Sequence, residues 1–536
     1  MRVAWRVTLA IGVIALGALA GAAWGERAPG APAGADAFLK RYTAALRVLV
    51  DNAPLSVSAE DLVSSSLEGA LTTLDPHSSY LRPRAFAGMR ERQQGAFYGI
   101  GVIISIRGGR VTVITPIDGT PASRVGLRAG DVIASVDGTP TADLDLDEVA
   151  QQLRGPEGTS VRVTVERVGL EQPLELEIER GRVPSDSVRY AFRIGDDVAY
   201  IRIADFTHTT GAEVRRHLER LQQEGATRLL LDLRDNPGGI VDSSVEVASM
   251  LLDAGQMVFT TKGRTADSFQ DYRAARDGLH FEGPVVALVN RGSASAAEIV
   301  AGAVQDHDRG LIVGETTFGK GVVQTIYPVR DAGLALTTAK YYTPSGRCIQ
   351  RDFDSYFTYI RHAEQDDPAP PVGEVFFTDS GRKVYGGGGI VPDHEVKLTE
   401  ISQSVAQLFG NSAFFQFAVS YLADKPDKAA AARAFAVTPE VIAQFRARAL
   451  AEKWLDDEEL TAALADEHGR RDIELSLRAE VLNAGVGLSA GYQVLTAADE
   501  QVQKALLLFE EADRLNARGR VARVSESAAR SRTLAP

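Results

Sequence analysis

Residues 289–324 read VNRGSASAAEIVAGAVQDHDRGLIVGETTFGKGVVQ, and the reading of this stretch decides the fold. A small-residue turn, Gly292-Ser293-Ala294-Ser295-Ala296, opens directly into an apolar-periodic run. Ala296, Ile299, Val300 and Ala303 recur at i, i+3, i+4 and i+7, which predicts a helix with Ser295 at its N-terminus. The first N–H groups of a helix lack intrahelical acceptors and carry the positive end of its dipole, so they favour an anion beside Ser295. The apolar strand Leu311-Ile312-Val313 follows, and then a short glycine-flanked loop carrying Lys320. A serine that attacks a carbonyl needs a base, and a lysine serves once burial lowers its pKa toward neutrality. Taken singly, Ser295 reads as a helix N-cap and Lys320 as a solvated charge. The string GETTFGK at 314–320 matches the phosphate-binding GxxxxGK loop up to its lysine. Gly321 then stands where that loop needs Ser or Thr, so the phosphate-loop reading is set aside.

Around this stretch, strands and helices alternate. VAYIRI at 198–203 is a strand, 213–223 is helical, and RLLLDLR at 228–234 is a buried strand. That strand ends in Asp235-Asn236-Pro237-Gly238-Gly239, and a helix continues through Val241, Val245 and Met250. PVVALVN at 284–290 is another buried strand, and AGLALTTAKYY at 332–342 leads into the turn Thr343-Pro344-Ser345-Gly346. A strand, glycine turn and helix in succession aim backbone N–H groups at a developing negative charge, although alone they are only a β–α connection.

Residues 95–182 form a β-rich module. VRVTVE at 161–166 and LELEIE at 174–179 alternate strictly, as half-buried strands do. Asp145 and Glu148 have the spacing of a capping box for a helix with Leu146, Val149, Ala150 and Leu153 on its face. Tyr98-Gly99-Ile100-Gly101-Val102 supplies backbone N–H groups suited to a carboxylate.

GSASAAE at 292–298, followed by FGKGVVQ at 318–324, resembles the carboxy-terminal processing peptidases, also called tail-specific proteases. The likeness spans about residues 67–396. It implies a mixed α/β, crotonase-like or ClpP-like protease core with an inserted PDZ domain. Ser295 would be the nucleophile, Lys320 the general base, and Gln324 the support for the lysine. The DLR-x-N-P-G-G string would supply one oxyanion amide, from Gly238 or Gly239 with Gly238 preferred, and Ala296 the other; the family commonly has Asn at the position of Asp235. The segments Tyr98–Val102, GLRAGD at 126–131 and GPEGTS at 155–160 together resemble a PDZ domain. Such domains take an extended peptide as an added strand and hold its terminal carboxylate, here at Gly99, Ile100, Gly101 and Val102. The expected partners are proteins or peptides with free C-termini. A regulatory adaptor and a homo-oligomer are compatible with this reading. Alternatives are a thioesterase on the crotonase-like fold and an inactive PDZ adaptor.

Composition narrows the field. The formal net charge is −13, with acids and bases interspersed, and no basic patch interleaved with aromatics supports nucleic-acid binding. Cys348 is the sole cysteine, which rules out an internal disulfide framework. The eight histidines include no HExxH pair, and no cofactor or metal is expected. Arg2 and Arg6 precede an apolar run at 7–24, the pattern of a bacterial export signal or retained anchor over residues 1–25. The expected location is the periplasm or cell envelope, with membrane association through that segment. A Gly/Ala/Pro-rich linker at 29–35 follows. The expected domains are a helical region at 26–94, the PDZ domain at 95–182, the protease core at 183–398 and a helical region at 399–536. LDPHSSY at 74–80 breaks the first helical region at Pro76, and His77 there reads as structural. Residues 362–373 read as an exposed acidic loop, and the last twenty residues as disordered.

Overall fold

The computed structural model describes residues 35–54, 56–276, 278–353, 373–398 and 400–533. The export or anchor segment and nearly all of the linker and of the 362–373 loop lie outside the described residues. No helix among the described residues is long and apolar enough to cross a membrane. The chain divides into two compact units, Met1–Leu74 and Asp75–Pro536.

The first unit holds helices α1 (Ala35–Asn52) and α2 (Ala59–Leu71). Ser58 caps α2 by accepting from the Asp61 N–H, and Tyr42 hydrogen-bonds Ser66 between the two helices. Within it Phe38 and Leu49 of α1 are exposed, while Leu71 of α2 is buried.

The second unit starts with residues that the sequence pattern groups with the N-terminal helices. Strand β1 (Ser79–Leu81) and helix α3 (Pro83–Gln93) belong here, because β1 pairs antiparallel with residues 333–335 of the α/β core. The β-rich module follows as β2 (Ala96–Gly99), β3 (Val102–Arg107), β4 (Arg110–Pro116), α4 (Pro121–Arg124), β5 (Val132–Val136), β6 (Thr139–Pro140), α5 (Leu146–Leu153), β7 (Ser160–Glu166), β8 (Leu174–Glu179) and β9 (Gly181–Pro184). The alternation in β7 does what its sequence requires: Val161, Val163 and Val165 are buried, and Arg162 and Glu166 face water. The Asp145–Glu148 capping box forms as expected and starts α5.

The core contains β10 (Val188–Ile194), β11 (Val198–Ile203), α6 (Thr210–Gln223), β12 (Arg228–Asp232), α7 (Val241–Ser249), β13 (Met257–Gly263), β14 (Gln270–Arg273), β15 (Val285–Val289), α8 (Ala296–Asp306), β16 (Gly310–Gly314), β17 (Val322–Val329), β18 (Ala332–Tyr342), β19 (Val375–Phe377), β20 (Lys383–Tyr385) and β21 (His394–Glu395). The main sheet runs β10-β11-β12-β15-β16-β21, parallel except for β10. A second sheet joins β1, β18, β13 and β14, with β17 also on β18.

The period of two divides the main-sheet residues between two cores. Ile201, Leu229, Leu231, Val285 and Ala287 pack with α6, α7 and α8. Tyr200, Leu230, Val286, Leu288 and Leu311 point the other way, against Val502, Leu508, Phe509 and Leu515. Val502 comes from the helix Glu500–Leu506, Phe509 and Leu515 from the helix Phe509–Thr533, and Leu508 from the turn between them. A parallel sheet needs cover on both faces, and the C-terminal region supplies the second cover. The expected disorder of the last twenty residues is therefore corrected: helix Phe509–Thr533 continues through most of them. The remaining C-terminal helices bury Val405, Leu408, Phe414, Phe417 and Leu422 in a core of their own. Phe509, 1% exposed beneath the main sheet, is expected to cost about 3–5 kcal/mol when replaced by Ala. Urea unfolding monitored by circular dichroism measures that loss.

Candidate active site

The serine turn and the lysine loop meet at the C-terminal ends of the parallel strands, where β-to-α turns place functional groups. Ser295 precedes α8 with φ 54° and ψ −114°, a strained conformation for a residue with a side chain. Several hydrogen bonds hold it there. The Ala294 N–H donates to Asn236 O at 2.8 Å, and the Phe318 N–H donates to Ser293 O at 2.9 Å. Ser293 is buried, and its hydroxyl donates to Leu233 O at 2.8 Å, tying the serine turn to the end of β12.

Glu298, on the first turn of α8 and fully buried, connects the two loops. Its Oε2 accepts from the N–H groups of Ser295 at 2.8 Å and Lys320 at 2.9 Å. Its Oε1 accepts from the Gly319 N–H at 2.7 Å and from the Thr317 hydroxyl at 2.5 Å. Burial pushes the Glu298 carboxyl above its usual range, and these donors oppose that push. Glu298 carries no catalytic motif of its own in the sequence. Its Ser-x-x-Glu spacing from Ser295 is the signal that was there to find.

Lys320 is half-buried just before β17, and its Nζ donates to Gln324 Oε1 at 2.6 Å. Burial lowers the pKa of the amine below the ordinary lysine value, with Glu298 and Asp75 pulling the other way. Gln324 in turn donates through Nε2 to the carbonyl of His77 at 2.6 Å. His77, read as structural, thus lies beside the lysine. Burial first, and then the Lys320 charge, lower its imidazole pKa to about 4, so it is neutral near pH 7. Among the described residues Lys320 Nζ bonds Gln324 Oε1, and no hydrogen bond joins it to Ser295 Oγ. Catalytic hydrogen bonds are often long without substrate and tighten when it binds.

Gly238 packs directly against the serine: a Cβ there would lie 2.7 Å from Ser295 Cβ and 3.0 Å from the Ala296 nitrogen. With φ +98° the position also disfavours any side chain. Its N–H, however, already donates to Asn236 Oδ1 at 2.8 Å. The Asn236 carboxamide folds back over its own turn and takes the donor assigned to the oxyanion. Among the described residues the neighbouring Gly239 N–H has no acceptor. The Ala296 N–H occupies the first position of α8, which has no intrahelical acceptor. Asp235, at φ 57°, fits its turn through Asn290, whose Oδ1 accepts from the Asp235 N–H and whose Nδ2 donates to Asp235 Oδ1, both at 2.8 Å.

In the PDZ module, Gly99 ends β2, Ile100 is buried, Gly101 has φ +79°, and Val102 opens β3. The carbonyls of Ile100 and Gly101 accept from Ala122 at 2.7 Å and Ile117 at 3.0 Å. Among the described residues the Ile100 and Gly101 N–H groups have no acceptor. Strand β3 is an edge of its sheet, as strand addition requires. Arg154, at the end of α5, bonds Glu91 of α3 at 3.0 Å and covers the Phe97 ring. No group of three or more His, Cys, Asp or Glu side chains among the described residues is arranged to hold a metal ion.

An α/β core with a serine at a helix N-terminus, a desolvated lysine nearby and a PDZ module defines a serine-type peptidase. Residues 197–354 match peptidase family S41, and residues 112–167 match a PDZ domain. The chain is 40% identical over 296 residues to a carboxy-terminal-processing protease of Bartonella bacilliformis, covering 54% of this chain and 68% of that protein. It is 36% identical over 295 residues to a carboxyl-terminal-processing protease of Synechocystis, again covering 54% and 68%. A solved photosystem II D1 C-terminal processing protease is 30% identical, with a TM-score of 0.34, covering 66% of this chain and 85% of that one. The chain belongs to the carboxy-terminal-processing protease family of S41 peptidases.

Exchanging Glu298 for Gln presents an amide NH2 to two of the buried N–H groups. The expected cost is about 2–4 kcal/mol of stability, two unsatisfied donors at about 1–2 each, together with a fall in kcat. Thermal unfolding and peptide hydrolysis measured on the same preparation check both effects.

Proposed function

We propose that this protein is an exported endopeptidase that cleaves protein substrates near their C-termini with a Ser295–Lys320 dyad. The Lys320–Gln324 hydrogen bond at 2.6 Å, in surroundings that lower the amine's pKa, carries the reading. Neutral Lys320 takes the proton from Ser295 Oγ as that oxygen attacks the scissile carbonyl, and returns it to the leaving amine. Gln324 aims the amine. The Ala296 N–H and the Gly238-Gly239 turn receive the oxyanion, with the unengaged Gly239 N–H the readier second donor. The N-terminal run at 7–24 supports export.

Three variants test the chemistry. Ser295→Ala abolishes cleavage and leaves the fold intact. Ser293→Ala keeps the chemistry but costs about 1–3 kcal/mol of stability, because the Leu233 carbonyl and the Asn290 N–H both lose the hydroxyl as partner. Lys320→Arg is inactive, because a guanidinium does not give up its proton at working pH. The base must be neutral in the resting enzyme, so kcat/KM falls as pH drops through the lowered lysine pKa. A Lys320→Arg enzyme with substantial activity removes the dyad.

The PDZ loop is proposed to hold the substrate's terminal carboxylate on the N–H groups around Gly99, Ile100, Gly101 and Val102. Amidating that terminus then weakens capture by about 1–3 kcal/mol, the scale of lost charge-assisted hydrogen bonds. Competition between free-acid and amidated peptides for the intact protein measures the difference, and equal capture removes tail sensing.

A further inference from the structure

We propose that the turn at residues 75–78 is a positioning element for the base: Asp75 shapes the turn so that the His77 carbonyl orients Gln324, and through it Lys320. The inference rests on the dyad reading above. It gives the LDPHSSY segment a task that no catalytic motif assigns to it.

The geometry forms a continuous chain of contacts. Asp75 Oδ1 accepts from the N–H groups of His77 and Ser78, both at 2.8 Å, and from the Thr337 hydroxyl at 3.0 Å. Its Oδ2 accepts from the Ser78 hydroxyl at 2.7 Å. Ser78 Oγ accepts from the Thr337 N–H at 3.1 Å, which fastens the turn to β18. One carboxylate therefore fixes two successive peptide units and docks them on the sheet that also carries Gln324 on β17. The product of that docking is the direction of the His77 carbonyl, which takes the Gln324 Nε2 proton at 2.6 Å.

A carboxamide can rotate by half a turn and present NH2 where its oxygen was. With NH2 toward Lys320, two donors would face each other and the amine would lose its acceptor. The His77 carbonyl accepts only from NH2, so it selects the orientation that leaves Oε1 for Lys320 Nζ. Burial opposes ionisation of Asp75, but its hydrogen bonds from Ser78, His77 and Thr337 outweigh burial and hold its carboxyl below the usual range. The ionised carboxylate is thus the form that the turn favours. Lys320 also feels the negative charges of Glu298 and Asp75, while His77 beside it remains neutral.

A purely structural turn would anchor β1 to β18 and affect activity only through stability. A double-mutant cycle separates the two roles. Asp75→Ala, Gln324→Ala and the double variant are assayed for kcat, KM and melting temperature on a peptide with a free C-terminus. The expected result is a roughly tenfold or larger fall in kcat for Asp75→Ala with KM within about twofold of wild type. In the Gln324→Ala background the same substitution costs little more, because Gln324 is the route by which Asp75 acts. Additive losses, or a kcat loss that only follows the melting temperature, overturn the proposal.

Asp75→Asn supplies the second arm where the Ala variant folds poorly. It retains an acceptor for the His77 and Ser78 N–H groups and removes one negative charge facing Lys320. It is expected to retain far more kcat than Asp75→Ala and to move the acid limb of the pH profile to lower pH. An unmoved limb, or a kcat as low as that of Asp75→Ala, counts against the proposal. Lys320→Ala and Ser295→Ala run alongside: activity in either one sinks the dyad itself, whereas additivity with both inactive sinks only the role of the turn.

Discussion

The Glu298 carboxylate is the constraint on which the site depends. A buried carboxylate without donors would be costly, and here four donors from two loops converge on it. Their convergence fixes where the serine turn lies relative to the lysine loop. Lys320 benefits in two opposing ways. Burial makes its neutral form accessible, while the nearby negative charge keeps that shift bounded. The strain at Ser295, with φ 54°, persists because its N–H is held by the same carboxylate.

The second dependency is the two-faced parallel sheet. Alternate residues of β11, β12 and β15 feed two separate cores, so neither face can go uncovered. The helices of the protease core cover one face, and the C-terminal helices cover the other. A polar network reinforces the second contact. Arg234, at the end of β12, bonds Asp232 beside it and Asp499 and Gln501 across the gap. Tyr200 donates to Asp232 and meets the Tyr492 hydroxyl at 3.1 Å. The C-terminal region is therefore part of the peptidase, not an appendage to it.

The PDZ module is held at two places. Arg154 reaches Glu91 on the α3 side, and on the opposite side Gly130 lies against Val419 and Arg107 against the Phe415 ring. The Gly130 contact leaves no room for a Cβ, which would meet Val419 at 2.5 Å. The module is thus braced both by α3 and by the C-terminal helices.

The sequence alone determined what local chemistry encodes. The spacing of Ala296, Ile299 and Val300 announced α8, the alternation at 161–166 announced β7, and Asp145 with Glu148 announced the start of α5. The pairing of GSASAAE with FGKGVVQ announced the family. These signals are legible because helix and strand periods and capping rules act within a few residues. What the tertiary structure decided lay in contacts between distant segments. The all-round burial of α8 was hidden because its small residues, Gly302 among them, read as a weak face until two sheets enclosed it. The approach of His77 to Gln324 depends on β1 joining β18, a pairing that no local pattern marks. The engagement of the Gly238 N–H depends on a side-chain rotamer of Asn236. Sequence patterns record which face of an element is apolar, but only the folded chain decides which hydrogen-bond donor finds which acceptor.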